Sequence, residues 1–401
     1  MVSIIPLLTL AFSVLGLAIR QPDSQADLAP RSTPKVLQLD FDKSKPGEKR
    51  DDAPKPKVLQ LDFNVDRSKP SRKRDATADL DDNRDVSYYM DMYFGSNKQK
   101  ILVEIDTGSA DLWVHDEFYG PSFEGMFNQS ESDTFKYINE KFEIHYFDGD
   151  ASYGEFGTDD VALEDGTVVK DFQFAVVNKA KNKHTAAIFG IARKVQENAK
   201  HQYDNFPYAL VKQGIIDKPA YSIYMSQDGG DKGLVLFGGI DKKKYKGSLV
   251  PFPISDDYYS DITLQSLDVN GKEFSINKSA MLDTGTSWNF FPDHIVDYIS
   301  EKLGAKINDD GERSIDCNQP TDKYITFNFG TQEIQLTYAD FVVRPIKNGC
   351  LAGIDYWNPD NGIVLGDVFL RRTYTVYDFE YDTIYIAQSV DTEESDIIQI
   401  P

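Results

Sequence analysis

A mainly-β fold is the first expectation this sequence supports. Tyr and Phe are abundant, 22 and 25 of 401 residues, and aromatic and β-branched side chains suit half-buried pleated surfaces. From Asp75 onward the apolar runs are short and end at Gly, Asn or Asp. Ile101-Leu102-Val103-Glu104-Ile105, Val161-Ala162-Leu163 and Phe172–Val177 are examples, with the punctuation of strands joined by turns. Helix-like stretches are few: Tyr208–Gln213, Asp293–Leu303 and Thr337–Phe341. Hydrophobic residues make up 40% of the chain, enough for a sizeable core, and the length allows two or three domains at roughly 150 residues each.

At the N-terminus, Ile4 to Ala18 is apolar but too short for a comfortable membrane span, and it closes on Gly16-Leu17-Ala18. Residues 1–18 therefore read as an export signal. Residues 19–74 are polar, rich in Pro and Lys, and internally repeated. Pro34-Lys35-Val36-Leu37-Gln38-Leu39-Asp40-Phe41 recurs as Pro56-Lys57-Val58-Leu59-Gln60-Leu61-Asp62-Phe63. Each copy is followed by a basic pair, Lys49-Arg50 and then Lys73-Arg74. In an exported chain such pairs are targets of a processing protease, and duplication of segment plus pair favours that over an ordinary solvated charge cluster. Residues 19–74 are thus expected to be a propeptide. Lys73-Arg74, which adjoins the body most directly, is its expected cleavage site. The alternating Val-Leu-Gln-Leu-Asp-Phe pattern is fit to pair as a strand with the body.

The net charge of −22 is uneven: residues 1–74 hold 14 basic and 9 acidic side chains, net +5, and residues 75–401 hold 29 and 56, net −27. Such a body repels nucleic acid and anionic membrane at neutral pH, and it suits an acidic medium, where many carboxylates become neutral. Asp391–Pro401 is short and acidic, so no membrane anchor is expected. Two cysteines exclude a four-thiolate metal site. The histidines His115, His145, His184, His201 and His294 lack zinc-protease spacing, and neither a nucleophile elbow, a phosphate loop nor a dinucleotide fingerprint occurs. No metal and no cofactor are expected. Asn128-Gln129-Ser130 and Asn277-Lys278-Ser279 match the N-glycosylation tripeptide.

The chemistry lies in a pattern that occurs twice. Ile105-Asp106-Thr107-Gly108-Ser109 follows an apolar strand and precedes Ala110-Asp111-Leu112-Trp113-Val114. Leu282-Asp283-Thr284-Gly285-Thr286-Ser287 follows Ala280-Met281 and precedes Trp288-Asn289-Phe290-Phe291, 177 positions later. The Gly lets the chain turn sharply beyond the strand, so the carboxylate projects into a cleft. The neighbouring hydroxyls can hold that carboxylate in one plane. Two such turns brought together place two carboxylates where both cannot comfortably ionise, so they share one proton.

These segments resemble the pepsin family of aspartic proteases, most closely the fungal secreted candidapepsins. Further matches are Gly95-Ser96-Asn97-Lys98-Gln99-Lys100, Leu236-Phe237-Gly238-Gly239-Ile240-Asp241 and Ile363-Val364-Leu365-Gly366-Asp367-Val368-Phe369-Leu370-Arg371, followed by Tyr374–Asp378. The resemblance, spanning about residues 86–390, implies a bilobal all-β fold with a substrate cleft between the lobes. Residues 75–250 would form the N-terminal lobe and 251–401 the C-terminal lobe. It implies Asp106 and Asp283 as the catalytic pair, with Asp106 the ionised base and Asp283 the protonated partner, supported by Thr107, Gly108, Ser109, Thr284, Gly285 and Thr286. Tyr146 matches a flap tyrosine that closes over substrate and Trp113 its support. Asp148, Gly149 and Ser287 fall at substrate-contacting positions, and Asp148 is expected to admit a basic side chain before the scissile bond. Cys317 and Cys350 match a disulfide of the second lobe. The family pattern departs at Phe147, where a Gly is usual, at Ala187-Ile188-Phe189-Gly190, and in lacking a first-lobe disulfide. Expected partners are protein and peptide substrates, a kexin-type processing protease and pepstatin-like inhibitors. The expected product is a secreted monomeric endopeptidase, made as a zymogen and active in acid.

Overall fold

The computed structural model describes residues 57–65, 88–116, 125–146, 149–181, 187–227, 232–309, 311–356 and 362–400. The export signal, the first repeat copy, both dibasic pairs, Phe147, Asp148 and His184 lie outside the described residues.

Among the described residues, thirteen strands form one sheet, seven a second, and sets of four and two complete the architecture. The strands of the first half are β1 Leu59–Val65, β2 Tyr88–Phe94, β3 Gln99–Asp106, β4 Leu112–His115, β5 Lys136–His145, β6 Ala151–Ala162, β7 Val168–Ala180, β8 Ala187–Gly190, β9 Ala220–Met225 and β10 Lys232–Phe237. In the large sheet they run β9-β10-β1-β2-β3-β8-β4-β7-β6-β5. Beyond β9 the sheet continues into Thr373–Asp378, Thr383–Ser389 and Tyr245–Pro253. The antiparallel pairing of β9 with Thr373–Asp378, with Ile223 opposite Thr375, ties the halves of the chain by main-chain hydrogen bonds. The seven-stranded sheet is built from residues 261–365.

Alternation decides which face is buried. In β1 the side chains of Leu59, Leu61 and Phe63 are buried while Gln60 and Asp62 are exposed, as a period-two strand requires. The main hydrophobic core is continuous from Leu59 to Ile386 and draws on both halves.

The helices obey local rules. Asp293–Leu303 turns Ile295, Val296, Ile299 and Leu303 inward and stops at Gly304, whose φ of 70° is left-handed. The segment expected at Tyr208–Gln213 is helical over Phe206–Lys212; Pro207 fits the first turn because its missing N–H has no intrahelical partner there. Thr337–Phe341 gives a single 3-10 turn, Tyr338–Phe341, closed by a Thr337–Asp340 capping box. Cys317 and Cys350 are joined as a disulfide 33 residues apart. Closing a loop of that length contributes about 3–4 kcal/mol in the chain-entropy description.

Candidate active site

The two Asp-Thr-Gly turns are built the same way. β3 delivers Asp106, and Lys272–Leu282 delivers Asp283 at its end. Each delivering strand has a parallel neighbour, β8 beside β3 and Ile363–Leu365 beside Lys272–Leu282. Each neighbour also pairs antiparallel with the strand after the turn, β8 with β4 and Ile363–Leu365 with Asn289–Phe291. The crossing leaves no room for a side chain behind either turn. A Cβ on Gly190 would lie 2.6 Å from the Asp111 carbonyl oxygen, and one on Gly366 2.1 Å from that of Thr286. Glycine is required there by close backbone approach.

The turns then lock onto each other. Thr107 N–H donates to Thr284 Oγ1 at 3.1 Å, and Thr284 N–H donates to Thr107 Oγ1 at 3.0 Å. Each hydroxyl donates onward across the divide, Thr107 to Leu282 O at 2.8 Å and Thr284 to Ile105 O at 2.7 Å. All four bonds are buried. They fix the separation of the turns, and the carboxyls of Asp106 and Asp283 meet in a hydrogen-bonding contact.

Each carboxylate is also held from its own turn. Asp106 Oδ1 accepts from Gly108 N–H at 2.7 Å and Ser109 N–H at 3.2 Å, and Oδ2 accepts from the Ser109 hydroxyl. Asp283 Oδ1 accepts from Gly285 N–H at 2.9 Å, and Oδ2 from the Thr286 hydroxyl at 2.6 Å. Both side chains are fully buried. Burial pushes both carboxyls upward, and the charge of Asp283 pushes Asp106 further. Asp283 is eased by hydrogen bonds from Thr286 and Gly285 and by its contact with Asp106. Two carboxyls raised together in one buried site hold a single shared proton, and their titration belongs to the pair. The Ser287 carbonyl accepts from Val368 N–H at 3.2 Å.

The hairpin of β5 and β6 carries Tyr146 at its end. Its hydroxyl accepts from Trp113 Nε1 at 2.8 Å, and both side chains are buried with Phe142, Ile144 and Ile188. Gly149, at a left-handed φ of 88°, closes the tip by donating to the Tyr146 carbonyl at 3.0 Å. Lys181 in turn donates to the Gly149 carbonyl at 2.8 Å. The sequence-selected Tyr146, Trp113 and Gly149 are thus brought together, and Asp148 lies outside the described residues.

Some supporting residues escaped the sequence reading. Gln196 donates to the Gly108 carbonyl at 2.8 Å and accepts from the Ser260 hydroxyl at 3.3 Å, joining the first turn to the second half. Arg193 donates to the carbonyls of Asp256 and Tyr259 at 3.1 and 3.2 Å. Tyr377 donates to Leu282 O at 2.8 Å, directly behind Asp283. Gln196 and Arg193 stand alone in sequence, without repetition or pattern, and Tyr377 falls within Tyr374–Asp378, a segment whose resemblance to the family carries no role for its individual residues. Among the described residues no group of three or more His, Cys, Asp or Glu side chains is arranged to hold a metal ion, and no helix is long and apolar enough to cross a membrane.

Comparison with known proteins agrees with this geometry. Residues 87–389 match the family model described as eukaryotic aspartyl protease. Secreted aspartic protease 4 of Candida albicans strain SC5314 is 34% identical over 340 residues, covering 80% of each chain. Candidapepsin-1 of Candida albicans strain WO-1 is 35% identical over 341 residues, 79% of this chain and 84% of that protein. Secreted aspartic protease 8 of strain SC5314 is 35% identical over 329 residues, 79% of each.

Proposed function

From the premise that this chain belongs to the eukaryotic aspartyl protease family and is an aspartic-type endopeptidase, we propose that Asp106 and Asp283 together activate one water molecule to cut peptide bonds of protein substrates in acid. The observation that carries this reading is the mutual contact of two buried carboxyls on interlocked turns. In such a pair the ionised carboxylate takes a proton from the water as its oxygen attacks the peptide carbonyl carbon. The protonated partner donates to the carbonyl oxygen as charge develops there. The tetrahedral diol then collapses, the C–N bond breaks, and the departing nitrogen receives a proton from the pair. No covalent enzyme intermediate forms. Following the family resemblance, Asp106 is the ionised base that takes the water's proton and Asp283 the protonated partner. The chemistry needs one proton between the two.

Residues 75–250 and 251–401 serve as the two lobes of this reading, with the dyad at their meeting. Tyr146 closes over substrate from the hairpin tip, and Trp113 sets its angle. Trp113→Phe removes the indole N–H that donates to the Tyr146 hydroxyl at 2.8 Å. Steady-state kinetics on a peptide are expected to show kcat/KM falling roughly tenfold or more, the equivalent of one good hydrogen bond. An unchanged value would remove Trp113 from the machinery.

The leader, net +5 against a body of net −27, supports a zymogen held by charge attraction at neutral pH and loosened as carboxylates protonate. The relatives are named secreted, and export would make Asn277 the better glycan acceptor. Asn277 is exposed at a left-handed position, whereas Asn128 is half-buried and tied to Glu131 and Ser130. The test of the whole reading is hydrolysis of casein or haemoglobin by the processed protein, with and without pepstatin. Acid-dependent hydrolysis blocked by pepstatin is expected, with little from the uncut chain at pH 7. Pepstatin-insensitive hydrolysis, or full activity of the uncut chain at neutral pH, would overturn it.

A further inference from the structure

β1 lies inside the stretch that the sequence assigns to a removable leader, yet it is an interior strand of the large sheet. On one side it pairs with β10 from Leu59 opposite Phe237 to Asn64 opposite Lys232. On the other it meets β2 through Asn64 and Val65, opposite Tyr89 and Tyr88. Leu59, Leu61 and Phe63 are 4%, 4% and 0% exposed and join the main core.

The body is shaped to receive this segment. The Phe63 ring occupies the space where Gly233 has no side chain: a Cβ there would lie 1.6 Å from the ring. Val58 fills the equivalent gap over Gly239, where a Cβ would lie 2.3 Å away. The Tyr88 ring packs edge-on against Phe63 with centroids 5.3 Å apart. Lys57 Nζ reaches Asp217 at 2.8 Å. Taking the strand away would uncover an apolar strip and leave unpaired edges on β10 and β2, the kind of edge that invites aggregation.

A cut at Lys73-Arg74 would make Asp75 the new N-terminus, and the segment beginning there is a poor replacement for β1. Residues 75–87 contain five aspartates, and their strand-like alternation is confined to Ala76, Ala78 and Leu80. Two alanines and a leucine would stand where two leucines and a phenylalanine now fill the slot, underfilling it at all three positions and replacing the ring over Gly233 with a smaller side chain. The first repeat copy, residues 34–41, is identical to residues 56–63 and so matches the slot side chain for side chain. The second copy's shorter connection to β2 favours it only weakly, because loop-closure entropy changes slowly with length.

We propose that Lys57–Val65 is a permanent strand of the mature enzyme and that the maturing cut falls at Lys49-Arg50. The mature chain then begins at Asp51, and the cut removes the rival copy while keeping the seated one. A cut at Lys73-Arg74 only nicks the chain and leaves residues 51–74 bound as a non-covalent strand. This inference rests on the zymogen reading, but its test is independent of catalytic activity.

Purified full-length chain, its Lys73→Ala/Arg74→Ala variant and its Lys49→Ala/Arg50→Ala variant are each digested with a kexin-type protease. The products are tracked by N-terminal sequencing, native size exclusion with denaturing mass spectrometry of the peak, and thermal unfolding. Chain cut at both pairs is expected to co-elute with the 51–74 peptide in one-to-one ratio. The Lys73→Ala/Arg74→Ala protein is expected to start at Asp51 with an unchanged Tm. Leu61→Asp is expected to lower the yield of folded protein at least tenfold, whereas Leu39→Asp, at the same position of the first copy, leaves the digested product unaltered. Release of the 51–74 peptide from a body that keeps its Tm would overturn the proposal. So would failure of the protease to cut at Lys49-Arg50 in the two chains that keep that pair. Loss of hydrolysis with the peptide retained would instead count against the catalytic reading alone.

Discussion

Asp106→Asn and Asp283→Asn are each expected to lower kcat/KM for peptide hydrolysis by at least about 10⁴-fold, because each leaves a pair that cannot hold one proton and one charge together. The substitution is close to isosteric. In either variant the amide oxygen can keep the bonds now made by Gly108 or Gly285 N–H at 2.7 and 2.9 Å. The Thr107–Thr284 lock is untouched, since its four bonds run between threonine hydroxyls and backbone. Burial raises both carboxyls, so ionising them at neutral pH weakens the fold. A neutral amide removes that cost, and the variants are expected to unfold at equal or higher temperature than the parent at pH 7. Inactivity together with retained Tm separates loss of chemistry from loss of structure. Residual activity within about a hundredfold of the parent in either variant would refute the dyad assignment.

Legibility of the site in the sequence came from repetition. Asp-Thr-Gly with a hydrophobic lead occurs twice, and the doubling made Asp106 and Asp283 stand out from the other acidic residues. The hydroxyls beside them were readable for the same reason, although the sequence placed Thr107 and Thr284 beside their own carboxylates. In the fold these two reach across to the opposite turn instead, a crossing set by how the two halves of the chain meet. That crossing is a long-range feature, and a local pattern carries no record of it. Gln196 and Arg193 stayed hidden because a single polar residue gains meaning only from what the fold sets beside it. The β1 segment was half legible. Its alternation announced a strand, but the basic pairs around it drew attention to processing. Its partner β10, more than 160 residues away, could not be inferred from periodicity.

Thermal stability is expected to be greatest in mild acid and to fall by roughly 10 °C in Tm between about pH 4 and pH 8. Asp261 is pushed from its ordinary value of 3.8 up to about 8, first by burial and then by neighbouring Asp256. Glu197 is pushed from 4.5 up to about 8, chiefly by burial. Asp106, Asp111 and Asp367 are raised by burial as well. Between the ordinary carboxylate range and these raised values the folded chain keeps protons that the unfolded chain has released. The unfolded state therefore binds fewer protons, and stability decreases as pH rises. An opposing group sets the acid limb: Asp204 is lowered by its bonds to Lys194 and Lys212, so its contribution is lost as pH falls through its folded value. Asp261→Asn and Glu197→Gln should each flatten the decline on the neutral side while leaving the acid limb in place. Self-repulsion in a body of net −27 adds to the decline, so the variants reduce it without abolishing it. Calorimetry at a series of pH values decides the matter: a Tm that is flat or rising from pH 4 to 8 in the parent would show that these buried carboxyls do not govern its stability.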